Sequence, residues 1–177
     1  MTLTKLRAKK IPGVVAAHHG IGFAPAKIAG SGAGSGVVSY FVNGPLKQMT
    51  HAGFNPSQLI EVLQVGLPVN ELTVLQASLA VSADKLAPML GISKATFHRR
   101  KGAGSKLNPA VSDRVVRFAR LLGKAVKVFG DIEDAKQWLN SAQFGLGGAV
   151  PLDYAKTEVG AREVENLLGR IEYGVYS

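Results

Sequence analysis

Residues 93–101 contain hydroxyl, imidazole and basic side chains that can bind nucleic acid, at a spacing that places them on one face of a short helix. Phe97 is the apolar anchor expected on the inner face of such a helix. Upstream, Ala87 is a small residue where two helices would cross, and Gly91 would form the turn between them. This pattern is typical of a helix-turn-helix, whose second helix enters the DNA major groove with its N-terminal residues toward the base edges. The outer face of that helix carries Ser93, Lys94, His98, Arg99 and Lys101.

The net charge of the 177-residue chain, +9, is unevenly distributed. Residues 84–127 carry eleven bases against two acids, whereas residues 128–177 carry eight acids against four bases. A clustered basic region is the electrostatic footprint of nucleic-acid binding, and the acidic C-terminal third suggests a second, different partner. A basic stripe on the next helix is either a solvated face or a row of phosphate contacts. Its members are Arg114, Arg117, Arg120, Lys124 and Lys127.

The elements that position these residues are all predicted to be helices, with no strand signal after residue 55. Asn108 and Pro109 begin a long helix to about Phe129. Its continuous apolar stripe, together with two upstream amphipathic helices, predicts a homodimer through residues 55–129. Pro88 implies that the first motif helix is kinked or begins later than Ser82. The other predicted helices begin near Pro56, Pro68, Ser93, Asp131, Pro151 and Ala161.

Residues 1–50 show no helical or strand period. Residues 30–36 read as a flexible linker, because the lysine and hydroxyl of a phosphate-binding loop do not follow them. Residues 37–42 are compatible with one short strand, and the adjacent His18 and His19 lack a third metal ligand. We expect a flexible basic arm that can be deleted without loss of the fold, and no export signal.

Several function classes are disfavoured by composition. The chain has no cysteine, so disulfides and thiolate metal sites are excluded and a cytoplasmic protein is the default expectation. No apolar run reaches the ~20 residues that span a bilayer. An enzyme is disfavoured because only four histidines are present and none accompanies paired carboxylates. We expect no catalytic residue, no metal and no cofactor.

The helical part of the chain resembles the Xre/MbcA/ParS antitoxin family over roughly residues 55–177. The most specific segment is residues 160–175, which read GAREVENLLGRIEYGV. Further matching segments are residues 84–101, 108–120, 128–131, 138–139 and 147–153. The resemblance implies an all-α fold with an Xre-like helix-turn-helix domain at residues 51–122 and a small toxin-binding domain at 123–177. The basic arm at residues 1–50 lies outside the resemblance.

The resemblance further implies a type II antitoxin that binds a RES-domain toxin, an enzyme that consumes NAD, and represses its own operon as a homodimer on operator DNA. A transcriptional regulator without a toxin partner is the alternative. Operator-reading candidates are Ser93, Lys94, Thr96, His98 and Arg99, with Arg100, Lys101, Arg114 and Arg117 as further DNA contacts. Toxin-facing candidates are Arg162, Glu165, Arg170, Glu172, Tyr173 and Tyr176.

Overall fold

The computed structural model describes residues 36–43, 56–101 and 106–175, and the predicted all-α fold is confirmed. Only an isolated bridge between Pro68 and Lys106 has β geometry in these ranges. The helices are α1 (Val37–Asn43), α2 (Pro56–Val65), α3 (Asn70–Leu79), α4 (Ala83–Met89), α5 (Lys94–Lys101), α6 (Pro109–Phe129), α7 (Ile132–Asn140), α8 (Pro151–Tyr154) and α9 (Glu158–Glu172), with a 3-10 turn at Phe144–Leu146.

Local capping explains where most of these helices begin. Ser82, Asn108 and Asp131 each accept a hydrogen bond from a backbone N–H in the first turn of α4, α6 and α7, at the predicted positions. The last helix begins three residues before the predicted Ala161, because the Thr157 hydroxyl accepts from the backbone N–H of Gly160. Side-chain caps therefore set these starts from sequence that is local to each helix.

Pro88 lies at the end of α4. The helix keeps its Ser82 cap and runs from Ala83 to Met89, so the alternative that it begins later is wrong. Pro88 is the penultimate residue of α4. Because proline lacks a backbone N–H, only one hydrogen bond in the last turn of the helix is lost. The proline therefore sits where the chain turns toward α5.

The central helix of the fold is α6, which packs against α1, α3, α7 and α9. Its apolar stripe is covered by these neighbours, and Val126 and Phe129 at its end are partly buried. The fully buried members of the stripe are Val111, Val115, Phe118 and Leu122. The stripe is thus buried within one chain and does not need a second copy to cover it, so of the two reasons for a dimer only the upstream amphipathic helices remain.

Residues 37–42 form part of helix α1, and the expected strand is wrong. Val37, Val38 and Val42 are buried, and α1 packs against α6 where Gly123 leaves room for the backbone carbonyl of Phe41. A run rich in β-branched residues favours a strand locally, but burial against α6 overrides that preference.

A buried carboxylate fixes the start of α1. Glu71 of α3 accepts hydrogen bonds from the backbone N–H groups of Val37 and Val38, both at 3.0 Å. The two donors satisfy a carboxylate that is almost wholly removed from water. Residues 36–43 therefore belong to the folded core, and the expectation that all of residues 1–50 lies outside the fold is wrong for this segment.

The described residues fall in one compact unit. The predicted domain boundary after Leu122 lies inside the continuous helix α6, so the two predicted domains share that helix. The linker up to Ser35, His18 and His19 lie outside the described residues. No helix in the described ranges combines the length and apolarity needed to cross a membrane.

Candidate functional site

The helix-turn-helix predicted from the sequence is formed by α4, a turn and α5. Phe97 and Ala87 are fully buried, as the spacing predicted. Gly91 in the turn has φ +66°, a conformation that favours glycine. Arg114 of α6 braces the same turn, because its Nη1 donates to the carbonyl of Leu90 at 2.8 Å and its guanidinium fills the space beside Gly91.

The exposed face of α5 carries the predicted DNA contacts. Ser93 caps the helix, since its hydroxyl accepts from the backbone N–H of Thr96 at 3.1 Å, and the two hydroxyls are hydrogen-bonded to each other. Lys94, His98 and Arg99 are exposed. The backbone of Arg100 and Lys101 continues α5, but their side chains lie outside those described.

Lys94 is held by a partner within the motif. Its Nζ lies 2.7 Å from a carboxylate oxygen of Asp84 on α4, and both side chains remain exposed to solvent. An exposed pair of this kind contributes roughly 0–1 kcal/mol, so an incoming phosphate can replace the carboxylate at small cost. The pair therefore orients Lys94 without removing it from the surface.

Arg117 has a different environment from the residues of α5. Only 12% of its side chain is exposed, and it bonds Asp113 on its own helix and Glu158 at the start of α9. A further hydrogen bond runs from Nη1 to the carbonyl of Lys156. Arg114 and Arg117, both predicted to contact DNA, are thus engaged in contacts within the chain.

Three further ion pairs join α6 to α9, and one of them is a 3.9 Å pair between Arg120 and Glu158. Arg120 Nε lies 2.7 Å from Glu165 Oε1, and Lys127 Nζ lies 2.8 Å from Glu172 Oε1. The hydrogen bond and the charge of Glu172 raise the pKa of Lys127 above its ordinary value. We call the pairs Arg117–Glu158, Arg120–Glu165 and Lys127–Glu172 the α6–α9 ion-pair row. This row offsets most of the basic stripe on α6, whereas on the face of α5 only Lys94 has an acidic partner among the described side chains.

The outward face of α9 lies opposite its buried residues. Arg162, Asn166, Arg170 and Tyr173 share this face by helical spacing and are all exposed. Tyr173 is 79% exposed. Among the predicted toxin-facing residues, Glu165 and Glu172 point to α6 instead, and Tyr176 lies outside the described residues.

Sequence reasoning missed Phe144, which is 100% exposed in the 3-10 turn between α7 and α8. In the sequence this segment is a glycine-rich loop, and the only signal of an exposed contact residue is the apolar side chain between Gln143 and Gly145. In the described ranges, no three histidine or acidic side chains converge in a way that would hold a metal ion.

Comparison with known families accounts for both surfaces. Residues 51–120, which include the α4–α5 motif, match the antitoxin Xre-like helix-turn-helix domain. Residues 124–174, which include α7 to α9, match the antitoxin Xre/MbcA/ParS C-terminal toxin-binding domain. The chain belongs to the Xre/MbcA/ParS antitoxin family. The predicted resemblance is confirmed, and the antitoxin therefore has a DNA-binding helix-turn-helix and a toxin as its protein partner.

Individual relatives agree with the family match. A protein of Photorhabdus laumondii named Antitoxin Xre is 35% identical over 117 residues, which are 66% of this chain and 79% of the relative. Antitoxin Xre of Yersinia enterocolitica is 31% identical over 67% of this chain and 81% of the relative. Antitoxin Xre of Pseudomonas putida is 30% identical over 53% of this chain and 56% of the relative.

Proposed function

We propose that the antitoxin neutralises a RES-domain toxin that consumes NAD, and that it represses its own operon by binding operator DNA as a homodimer. The observation that carries this proposal is the separation of two exposed faces on one compact unit. The face of α5 is basic and lies in the matched DNA-binding domain, whereas the outward face of α9 lies in the matched toxin-binding domain.

The proposed DNA surface is α5 itself. A helix of this length with hydroxyl, imidazole and guanidinium groups on its outer face fits the major groove. We infer that Arg114 and Arg117 support this surface indirectly, because the first holds the turn and the second holds α9. The proposed direct contacts are Ser93, Lys94, Thr96, His98 and Arg99, extended by Arg100 and Lys101.

The proposed toxin surface is the outward face of α9 with the C-terminal tip. Arg162, Arg170 and Tyr173 present charge and an aromatic ring on a helix whose opposite side is anchored in the core. Arginine and tyrosine are enriched at the centres of protein interfaces. A pocket that binds NAD accommodates phosphates and stacked rings, and a tyrosine ring can occupy such a pocket. We therefore include Tyr176, which follows α9 in the sequence, as a further proposed contact.

The proposed homodimer uses α2 rather than the stripe on α6. None of the residues of α2 is fully buried, although half of the helix is apolar. Ile60 and Val65 are more than half exposed. A helix with this much exposed apolar surface is typical of a protein interface. Because helix-turn-helix repressors bind DNA as dimers, we propose a second copy of the chain as the partner.

Co-expression tests the proposal directly. The antitoxin should restore growth and cellular NAD in cells that express the RES-domain toxin of the same operon, and the purified antitoxin alone should not consume NAD. It should also shift DNA from its own promoter in a gel assay, and light scattering should give the mass of a dimer. If NAD falls equally with and without the antitoxin, the proposed neutralisation is wrong.

A further inference from the structure

We propose that Phe144 is the apolar anchor of toxin binding, inserted into an apolar pocket on the toxin. This inference deepens the proposed function and rests on it. Phe144 lies in the region that matches a toxin-binding domain, and it is the large apolar side chain with the greatest exposure in the described ranges. A ring in this position can anchor a partner only if the chain holds it firmly in solvent.

The loop that carries Phe144 is closed by its own hydrogen bonds. The backbone N–H of Gln143 donates to the carbonyl of Ala149, and the N–H of Gly148 donates back to the carbonyl of Gln143, both at 3.0 Å. The carbonyl of Phe144 accepts from Gly147 at 2.9 Å. These hydrogen bonds fix the backbone that carries the ring, so binding should cost little backbone conformational entropy in the loop.

Side-chain contacts fix the same loop to its neighbours. The side-chain amide of Gln143 donates to the carbonyl of Trp138 at 2.9 Å, which ties the loop to the end of α7. On the other side, Leu167 of α9 fills the space that a side chain at Gly145 would need. Leu146 packs against the core. The ring of Phe144 is therefore directed outward from a turn that is anchored on three sides.

The surroundings of the ring match the usual anatomy of an interface. Leu167 lies on α9 between Glu163 and Arg170, which precede and follow it by four and three residues and are exposed. An aromatic anchor on a loop that packs against a helix with exposed charged side chains corresponds to an apolar centre with a polar rim. Arg170 also belongs to the proposed toxin surface, so Phe144 extends that surface across the loop.

Other occupants fit less well. Residues 128–177 carry a net negative charge, which opposes contact with the phosphates of DNA. A single exposed ring on a small turn buries much less than the roughly 800 Å² per partner of a stable protein dimer. It can, however, act as one hot spot within a larger interface with a partner that supplies a pocket.

The test compares Phe144→Ala with Phe144→Leu and with the neighbouring control Ala142→Ser, all in the full chain. The toxin is an inactive variant of the RES-domain protein, and binding is measured by calorimetry. We expect Phe144→Ala to weaken binding roughly ten- to a hundredfold, because it removes one buried aromatic side chain. Phe144→Leu should weaken binding less than Phe144→Ala, and Ala142→Ser should bind like the unchanged chain.

Two separate failures are distinguishable. If the unchanged antitoxin does not bind this toxin, the proposed function is wrong and the inference falls with it. If the unchanged antitoxin binds and Phe144→Ala binds equally well, only the inference is overturned. The thermal transition of Phe144→Ala should match that of the unchanged chain, since the ring makes no buried contact. A change of mass in light scattering of Phe144→Ala without toxin would instead identify a second copy as the occupant and overturn the inference.

Discussion

Arg120 of α6 and Glu165 of α9 form a 2.7 Å ion pair that joins the DNA-binding part of the antitoxin to its toxin-binding part. The sequence places Arg120 in a basic stripe that either is solvated or contacts phosphates, and it predicts that Glu165 faces a toxin, yet the two residues bind each other. Arg117 and Lys127 make equivalent pairs along the same two helices. Part of the charge asymmetry of the sequence thus serves to hold α9 against α6.

The first prediction tests whether the attraction between Arg120 and Glu165 stabilises the fold. Arg120→Glu places two carboxylates together and should lower the free energy of unfolding by roughly 1 kcal/mol, since the pair is only partly shielded from water. The double variant Arg120→Glu with Glu165→Arg should recover most of that stability. Urea denaturation measures both changes, and high salt should reduce the difference between them.

Lys124 provides the matched control on the same helix. It forms no ion pair with any residue in the described ranges, so Lys124→Glu should change stability much less than Arg120→Glu. Equal destabilisation in the two single variants would show that net charge, rather than the specific pair with Glu165, controls stability.

The second prediction assigns DNA binding to α5. Arg99→Ala and Lys94→Ala should weaken binding to the operator, and each should lower the salt dependence by roughly one unit for every phosphate that the side chain neutralises. Arg120→Ala should leave the salt dependence unchanged, because Arg120 is paired with α9. Fluorescence anisotropy at several salt concentrations measures these slopes. Unchanged affinity in both α5 variants would remove residues 93–101 from the interface.

The sequence predicted the helices around the motif accurately because their signals are local. Ser82 and Asn108 cap the helices that follow them, and Phe97 is buried where its spacing placed it. Helical periodicity also placed basic residues on one face of α6. It could not show which helix covers that face, because the partner α9 lies some forty residues away along the chain.

Helix α1 shows a second limit of local reasoning. Val37 and Val38 favour a strand on their own, and the contacts that make them helical come from α3 and α6. In the sequence Glu71 is only one of two acids in its region, yet in the structure it is buried and caps α1. No periodic pattern in the sequence links position 71 to position 37.

The third prediction tests that cap. Glu71→Ala should lower the free energy of unfolding by roughly 2–4 kcal/mol, because it leaves the buried N–H groups of Val37 and Val38 without an acceptor. Glu163→Ala on the exposed side of α9 is the control, because it lies outside the proposed dimer helix α2, and it should change stability by less than about 0.5 kcal/mol. Thermal unfolding followed by circular dichroism compares the two.

A truncation series extends the third prediction. Removal of residues 1–35 should preserve the cooperative thermal transition, as the sequence predicts for the arm. Removal of residues 1–43 should lower the transition temperature markedly, because it takes Val37, Val38 and Val42 out of the core. Identical transitions for the two truncations would show that α1 contributes nothing to stability.

The last prediction concerns neutralisation by α9. Tyr173→Ala combined with Tyr176→Ala should release NAD consumption when the toxin is co-expressed, because it removes the aromatic groups at the tip of the proposed toxin surface. Tyr173 is 79% exposed, so its removal should leave the fold and DNA binding intact. Glu172→Gln is the control: it loosens the pair with Lys127 on the other side of the helix and should leave neutralisation unchanged. If cells with the double tyrosine variant grow like cells with the unchanged antitoxin, the C-terminal tip is not inhibitory. Neutralisation would then depend on Phe144 and the loop around it.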